Sequence, residues 1–530
     1  MLNELPRLSW GKADFDLIRA LDCVYVDKTD LIYKLAAYSN DRLFLARPRR
    51  FGKSMLISTF ESLFSHGLRD FKGLAIESLW NERQYTVVRL DFSEAKQFSN
   101  FETFNSLFET HLIESFSRSG FVYDPTKVTG VISQISDWFL SQPIGSVVLL
   151  IDEYDAPLTN CLDRPKLFEK VQLIVSHFFS RIKRADRCLR FLFITGITKL
   201  TSTNIFSSFN ALQDISLDEK YGTILGYTRE EIKKNFSAHL TNAAAKLNTT
   251  EEEVLNLMAD YYDGFSFDTY GKTHVFCPWS VMAFLSNPES GFENYWYTSG
   301  GLPDVLLKFL RNHQLVNIEH FAKDKTVFLS QLKASAPYDK LDLDILLCQA
   351  GYLSIKGSDG FQVRLGYPNK EVESSLAMLY ASELIKPGAS IMRDNSLTAE
   401  DFLSSYAVNE VISYFNEMFN AIDYNRYPIV DEASCRSHLQ MLLYGSGIAS
   451  IVEKHSALGR SDLEFSVGSR YWVLEFKYAR SDESVPILLK EAVSQIESKQ
   501  YGPAICQKTL IKVALVFSEV KRQIVAWKQL

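Results

Sequence analysis

The 530-residue sequence contains no apolar run that approaches the length of a membrane span. Its longest clean strings, such as Val147-Val148-Leu149-Leu150-Ile151, fall far short of the roughly 20 residues a helix needs to cross a bilayer. The first residues, Met-Leu-Asn-Glu-Leu-Pro, have no basic stretch followed by an apolar one, so no secretion signal is expected and a cytoplasmic address is. Seven cysteines are scattered without a single Cys-x-x-Cys, which fits reduced thiols and excludes a disulfide framework. Nine histidines form neither His-Glu-x-x-His nor a Cys/His cluster at zinc spacing, which argues against a zinc enzyme. Glycine and proline are scarce, at 25 and 15 residues, so this is no low-complexity chain. There is also no repeat of 20 to 50 residues and no Pro/Ser-rich linker.

What is present describes a packed protein. Apolar residues make up 46% and charged residues 23%, and at roughly 150 residues per domain the length predicts three or four domains. A net charge of −7 would speak weakly against nucleic acid if it were even, but Lys499 to Leu530 carries six Lys/Arg and one acid. Up to about residue 225, short β-rich runs (43–46, 86–92, 147–151, 191–195) alternate with helix-like segments, the rhythm of a parallel α/β sheet. Residues 226–425 read as mostly helical, opening on the capping box Thr228-Arg-Glu-Glu. In that stretch 351–355 and 361–365 flank a Gly-Ser-Asp-Gly turn, a hairpin after a helix that predicts a winged-helix-like unit. Residues 426–530 alternate again and predict a separate α/β domain, with helices around 434–444 and 488–498 and a strand over 509–518.

Two constellations carry chemistry. The first is Arg47-Pro-Arg-Arg-Phe-Gly52-Lys53-Ser54, between an apolar strand and a helix whose Leu56, Phe60, Leu63 and Phe64 share a face. Strand, loop and helix in this order form a phosphate-binding context. Backbone amides and Gly52 surround the phosphates of ATP, Lys53 reaches the β and γ groups, and the Ser54 hydroxyl ligates Mg²⁺. The usual motif begins with Gly where this sequence has Arg47, and Gly-Lys-Ser alone is short enough for a surface loop to carry by chance. A second element raises its weight: the strand 147–151 runs into Asp152-Glu153-Tyr154-Asp155. There Asp152 would hold Mg²⁺ and Glu153 would polarise the attacking water. A third strand ends in Thr195-Gly-Ile-Thr198-Lys199, which places Thr198 and Lys199 as candidate sensors of the nucleotide. For Arg47, Arg49 and Arg50 two readings stand open, phosphate contacts or a finger reaching a neighbouring subunit's nucleotide, and for Arg49 and Arg50 a third, pairing with acids such as Asp27 or Asp155 to fix the loop.

The second constellation is Asp462, then Glu475-Phe476-Lys477, across a hairpin turning at Gly468-Ser469. Alternation puts Tyr471, Val473, Glu475 and Lys477 on one face of the strand and Trp472, Leu474, Phe476 and Tyr478 on the other. A carboxylate and an ammonium buried in an apolar strand cost several kcal/mol unless compensated, and a metal with a bound phosphate compensates both. The expected ligands of Mg²⁺ are Asp462, a Glu475 oxygen and the Phe476 carbonyl, with Lys477 orienting or deprotonating water and Glu432 as an additional candidate from the preceding helix. A structural Glu/Lys pair is the alternative.

Together with Tyr25-Val-Asp27-Lys-Thr, Phe71-Lys-Gly-Leu, Ser208-Phe-Asn-Ala-Leu, Tyr262-Asp-Gly-Phe, Cys277-Pro-Trp-Ser280 and Tyr367-Pro-Asn-Lys-Glu-Val372, these motifs resemble the bacterial AAA-ATPase-like proteins fused to a C-terminal PD-(D/E)XK nuclease. The resemblance spans nearly the whole chain. It implies that Arg47 is the family's form of the loop, and that 226–425 form its helical lid and linker. It adds Gln495, in a Gln-Ile segment before Lys499 and Tyr501, as a residue near the nuclease site. The expected function is an ATP-regulated, Mg²⁺-dependent nuclease acting on nucleic acid, chiefly DNA, with a place in bacterial defence against foreign DNA and a capacity to form homo-oligomers. The rival is a signalling or scaffold NTPase whose tail only binds nucleic acid or protein.

Overall fold

The computed structural model describes residues 5–37, 41–199, 212–301, 306, 308, 324–334, 342–386, 398–448, 450–456, 459–499 and 508–530. The chain divides into two compact units, 1–312 with 324–372, and 313–323 with 373–530. Most of the Ser208-Phe-Asn-Ala-Leu motif and Tyr501 lie outside the described residues.

In the first unit, β1 (Asp41–Ala46), β2 (Thr86–Asp91), β3 (Val147–Asp152), β4 (Leu189–Gly196) and β5 (Leu212–Asp214) form a parallel sheet in the order β2-β3-β4-β1-β5. Every residue of β3 and β4 is buried, which is why these segments read as unbroken apolar runs: a parallel sheet is covered on both faces. On one side α1 (Lys53–His66) lays Phe60 and Phe64 against Phe191 of β4, ring centroids 5.1 Å apart in each case. The helices α2 (Phe101–Ser117), α3 (Val131–Ser141) and α4 (Pro165–Arg184) pack against one another, with Phe108 meeting Phe92 and Phe178 edge to face.

A helical group follows: α5 (Arg229–Asn235), α6 (Ser237–Lys246), α7 (Glu251–Tyr262) and α8 (Pro278–Ser286). The capping box at its start is formed as expected, Glu231 N donating to the Thr228 hydroxyl and Thr228 N to Glu231 Oε2. Glu231 also accepts from Lys28 Nζ at 2.6 Å, tying this group to the N-terminal segment. After α9 (Leu343–Ala350), the hairpin read from the sequence is β7 (Ser354–Ser358) and β8 (Gln362–Gly366). A third strand that the sequence did not reveal, β6 (Lys325–Phe328), pairs with β8. Helix α10 (Lys370–Leu384) begins in the first unit and continues in the second.

The second unit contains α11 (Val408–Ala421), α12 (Glu432–Gly445), a five-stranded mixed sheet and α13 (Val485–Lys499). The strands are β9 (Ser450–Ser456), β10 (Gly459–Val467), β11 (Arg470–Ala479), β12 (Thr509–Ser518) and β13 (Gln523–Gln529), ordered β13-β12-β11-β10-β9. Only β11 and β12 run parallel, and α13 is the crossover between them. Val473 and Ala514 pack against Ala492 and Ile496 of α13, with Tyr471 alongside, so the odd-numbered face of β11 is covered by that helix. Trp472, on the opposite face, stacks on Phe465 at 5.9 Å.

Candidate active sites

The loop after β1 is built by residues that do different jobs. Gly52 has φ +95°, a left-handed conformation that L side chains rarely adopt, and a Cβ there would meet nothing closer than 3.7 Å; backbone conformation, not space, requires the glycine. It caps α1 and lets the chain turn into the helix. Lys53 is buried, and its Nζ donates to the carbonyls of Arg47 and Pro48, each at 2.9 Å. Burial lowers the Lys53 pKa, opposed by the charges of Glu153 and Asp152.

β4 lies between β1 and β3, so its end stands between the loop and the acidic strand end. Asp152 is fully buried. Its Oδ1 accepts from the Thr195 hydroxyl and from Glu153 N, while its Oδ2 has no hydrogen-bond partner. A buried carboxylate with one orphaned oxygen fits an oxygen-ligated cation such as Mg²⁺. Glu153 takes φ +48°, and burial raises its pKa against the opposing pull of Lys53. Lys53, Ser54, Arg49, Arg50, Gly52 and Glu153 line one cavity of about 430 Å³, whose other walls include Val24, Tyr25, Leu225 and Met282. Its lining combines cationic and hydroxyl side chains with apolar ones, a mixture that suits a nucleoside with a phosphate tail.

Other expected members lie elsewhere. Arg47 is buried, donates to the carbonyls of Ala46, Ser216 and Tyr221, and stacks on Phe267 at 4.2 Å, with burial drawing its pKa down to about 9. It fastens the loop to the segment after β5 and does not line the cavity. Thr198 donates its hydroxyl to Asp155 at 2.7 Å, and Lys199 pairs with Asp214 of β5 at 2.6 Å. Both sensor candidates are thus engaged in fixing the turn, and the polar group from β4 that touches the Asp152 site is Thr195. Its signal was its place at the end of an apolar strand. Gly196 follows because a Cβ there would lie 2.6 Å from the Tyr154 ring and 2.9 Å from Asp155 Oδ1.

Asp27 and Asp155, the proposed counter-ions of the loop arginines, accept from backbone and hydroxyl donors: Asp27 from Thr29 and Ala75, Asp155 from Ile197 and Thr198. Arg50 instead lies over the Trp279 ring at 4.1 Å and donates to the Ser299 carbonyl. The Arg49 carbonyl accepts from the Trp296 indole at 3.1 Å.

Trp296 is in turn held by Glu371, a residue not singled out from the sequence. Its Oε1 accepts from Trp296 N at 2.7 Å and its Oε2 from the Ser280 hydroxyl at 2.8 Å, and burial pushes its pKa up to about 8. A carboxyl whose folded pKa lies above its ordinary 4.5 stabilises most at low pH, and the contribution is lost as pH rises from 4.5 through 8. Glu371→Gln keeps both partners without the charge. The variant is expected to unfold at a higher temperature than wild type at pH 8.5, with the difference vanishing near pH 4.5, as differential scanning calorimetry would show.

In the second unit the hairpin register pairs Leu463 with Leu474, so the next position places Asp462 beside Glu475. Asp462 lies within β10. Its Oδ2 accepts from Phe476 N at 2.8 Å and its Oδ1 from Arg436 of α12 at 3.0 Å. Glu475 is fully buried, and neither of its oxygens has a hydrogen-bond partner. Burial and the Asp462 charge raise its pKa to about 8, with Lys477 opposing. Lys477 Nζ stands 3.6 Å from Glu475 Oε1 and donates to Glu432 at 3.2 and 3.3 Å and to the Phe476 carbonyl at 3.0 Å. That carbonyl, an expected metal ligand, therefore serves Lys477 here. Burial also raises the Glu432 pKa.

Asp462, Glu475, Lys477 and Glu432 are thus brought together, and Arg436 joins them unforeseen. Gln495 is half-buried on α13, the helix that covers this face. Two orphaned carboxylate oxygens beside a second carboxylate form an all-oxygen donor set that fits Mg²⁺ or Mn²⁺.

No helix among the described residues is long and apolar enough to cross a membrane. An uncharacterized protein in the vnfD 5' region of Azotobacter chroococcum mcd 1 is 25% identical over 490 residues, covering 91% of this chain and 90% of that protein. Residues 9–206 match the family described as predicted AAA-ATPase, and residues 431–527 match the PD-(D/E)XK nuclease superfamily. The chain joins an AAA-ATPase-like domain to a C-terminal domain of the PD-(D/E)XK nuclease superfamily.

Proposed function

We propose that the protein is an ATP-regulated nuclease that cleaves nucleic acid, DNA in the first instance, with Mg²⁺. The observation that carries this reading is Glu475: a fully buried carboxylate with no hydrogen-bond partner on either oxygen, next to Asp462 and Lys477. Such an arrangement is costly to fold and makes sense as a ligand set. Asp462 and Glu475 would hold the ion, which supplies charge to polarise the scissile phosphate. Lys477, held by Glu432, is placed to orient a water or take its proton.

In the first unit Ser54 and Asp152 would hold Mg²⁺ with ATP. Lys53 exchanges its two loop carbonyls for the phosphates, and Glu153 orients the water. The lysine after a glycine, the strand-end acids and a cavity lined by both charged and apolar groups support the nucleotide reading.

The decisive experiment is cleavage of plasmid DNA by the purified protein in Mg²⁺, with and without ATP, alongside Lys53→Ala. Wild type should cleave at a rate that depends on ATP, and Lys53→Ala should bind no ATP in calorimetry and lose the ATP dependence. Cleavage of neither DNA nor RNA with any divalent ion would favour the binding-only scaffold.

A further inference from the structure

Arg436 is the residue of the nuclease face for which the proposed reaction has so far no use. It stands four residues after Glu432, one turn along α12, so the two side chains project from the same side of that helix. Its guanidinium is nine-tenths buried and donates to Asp462 Oδ1 at 3.0 Å. Phe476 N takes the other Asp462 oxygen. The two carboxylates of the site are therefore unequal: each oxygen of Asp462 has a donor, and neither oxygen of Glu475 has one.

A divalent ion ligated by Asp462 must share that carboxylate with a guanidinium a hydrogen bond away. Two cations at such separation in a poorly solvated site repel strongly unless an anion lies between them. A phosphodiester oxygen is such an anion, and the planar fork of an arginine is suited to receive it.

We infer that Arg436 is a phosphate-binding residue that makes metal and nucleic acid bind cooperatively. It opposes the ion when it is paired with Asp462, and it turns to the phosphodiester when both ligands are bound. The inference rests on the nuclease reading of this site.

The test measures Mn²⁺ affinity by calorimetry with and without a short phosphorothioate duplex that resists cleavage, taking the part lost in Glu475→Ala as the signal of this site. In wild type the duplex should tighten Mn²⁺ on the order of tenfold, and by linkage Mn²⁺ should tighten the duplex equally. Arg436→Gln should bind Mn²⁺ alone at least as tightly as wild type and should lose most of the enhancement. The salt dependence of its duplex binding should fall by about one phosphate contact. Arg436→Lys, which keeps the charge but not the fork, should fall between the two. Weaker Mn²⁺ binding by Arg436→Gln without duplex, at unchanged thermal stability, would overturn the inference and leave Arg436 as a residue that merely positions Asp462. If Glu475→Ala leaves wild-type Mn²⁺ binding unaltered, the nuclease reading itself fails.

Discussion

Glu475→Ala is expected to abolish nucleic-acid cleavage and at the same time to make the protein harder to unfold. The first effect follows from removing one of the two carboxylates that can hold the ion, so cleavage and Mn²⁺ affinity should be lost together. The second follows from burial. A carboxylate with no hydrogen-bond partner on either oxygen destabilises the fold that contains it, and deleting it relieves that cost. In EDTA the variant should therefore melt above wild type. Asp462→Ala should also lose cleavage but should lower the melting temperature, because it strands Phe476 N and the Arg436 guanidinium in the interior. Lys477→Ala leaves both carboxylates in place. Metal should still bind, and single-turnover cleavage should slow by roughly the 10²–10⁴-fold typical of lost acid–base assistance. Mg²⁺ and Mn²⁺ should support turnover, with Ca²⁺ binding unproductively, since the donors are all oxygen. Unchanged nucleic-acid affinity and no cleavage by any of these proteins, wild type included, would leave a binding domain.

Much of both sites was legible because each hangs on strand alternation or on a strand end. The odd-numbered face of β11 put Glu475 and Lys477 together with no further information, and the apolar run before Asp152 marked a buried parallel strand. What was not legible depended on tertiary partners. Arg47 looks like a phosphate ligand because it sits in a phosphate loop, but whether an arginine faces the ligand or the core depends on Phe267 and the Ser216 and Tyr221 carbonyls, all far away in sequence. Thr198 and Lys199 were displaced as sensors by Asp155 and Asp214, and no local pattern announces those pairings. Arg436 and Glu371 escaped notice for the same reason. A charged residue on a mixed helix reads as solvated until the packing shows it buried. Strand β6 was missed because four residues carry too little alternation to be recognised.

Glu153→Gln should leave ATP affinity within a few-fold of wild type and reduce hydrolysis by about 10²–10⁴-fold, since it removes a base while sparing Lys53, Ser54 and Asp152. The backbone at this position gives the prediction a second arm. Glu153 is one of few non-glycine residues with positive φ, at +48°, where a Cβ costs roughly 1–2 kcal/mol. That conformation comes directly after β3 ends, and Glu153 is the acid that lines the cavity beside Lys53. A glycine would adopt the same turn without strain. Glu153→Gly should therefore be as inactive as Glu153→Gln yet more stable than Glu153→Ala, which keeps the strain and loses the carboxylate. Thermal melts of the three variants, set beside their ATP turnover, separate the two effects. If Glu153→Gly regained hydrolysis, the carboxylate would not be the group that orients the water. If Glu153→Gly and Glu153→Ala melted together, the left-handed turn would carry no cost, and the acid would occupy that position for its chemistry alone.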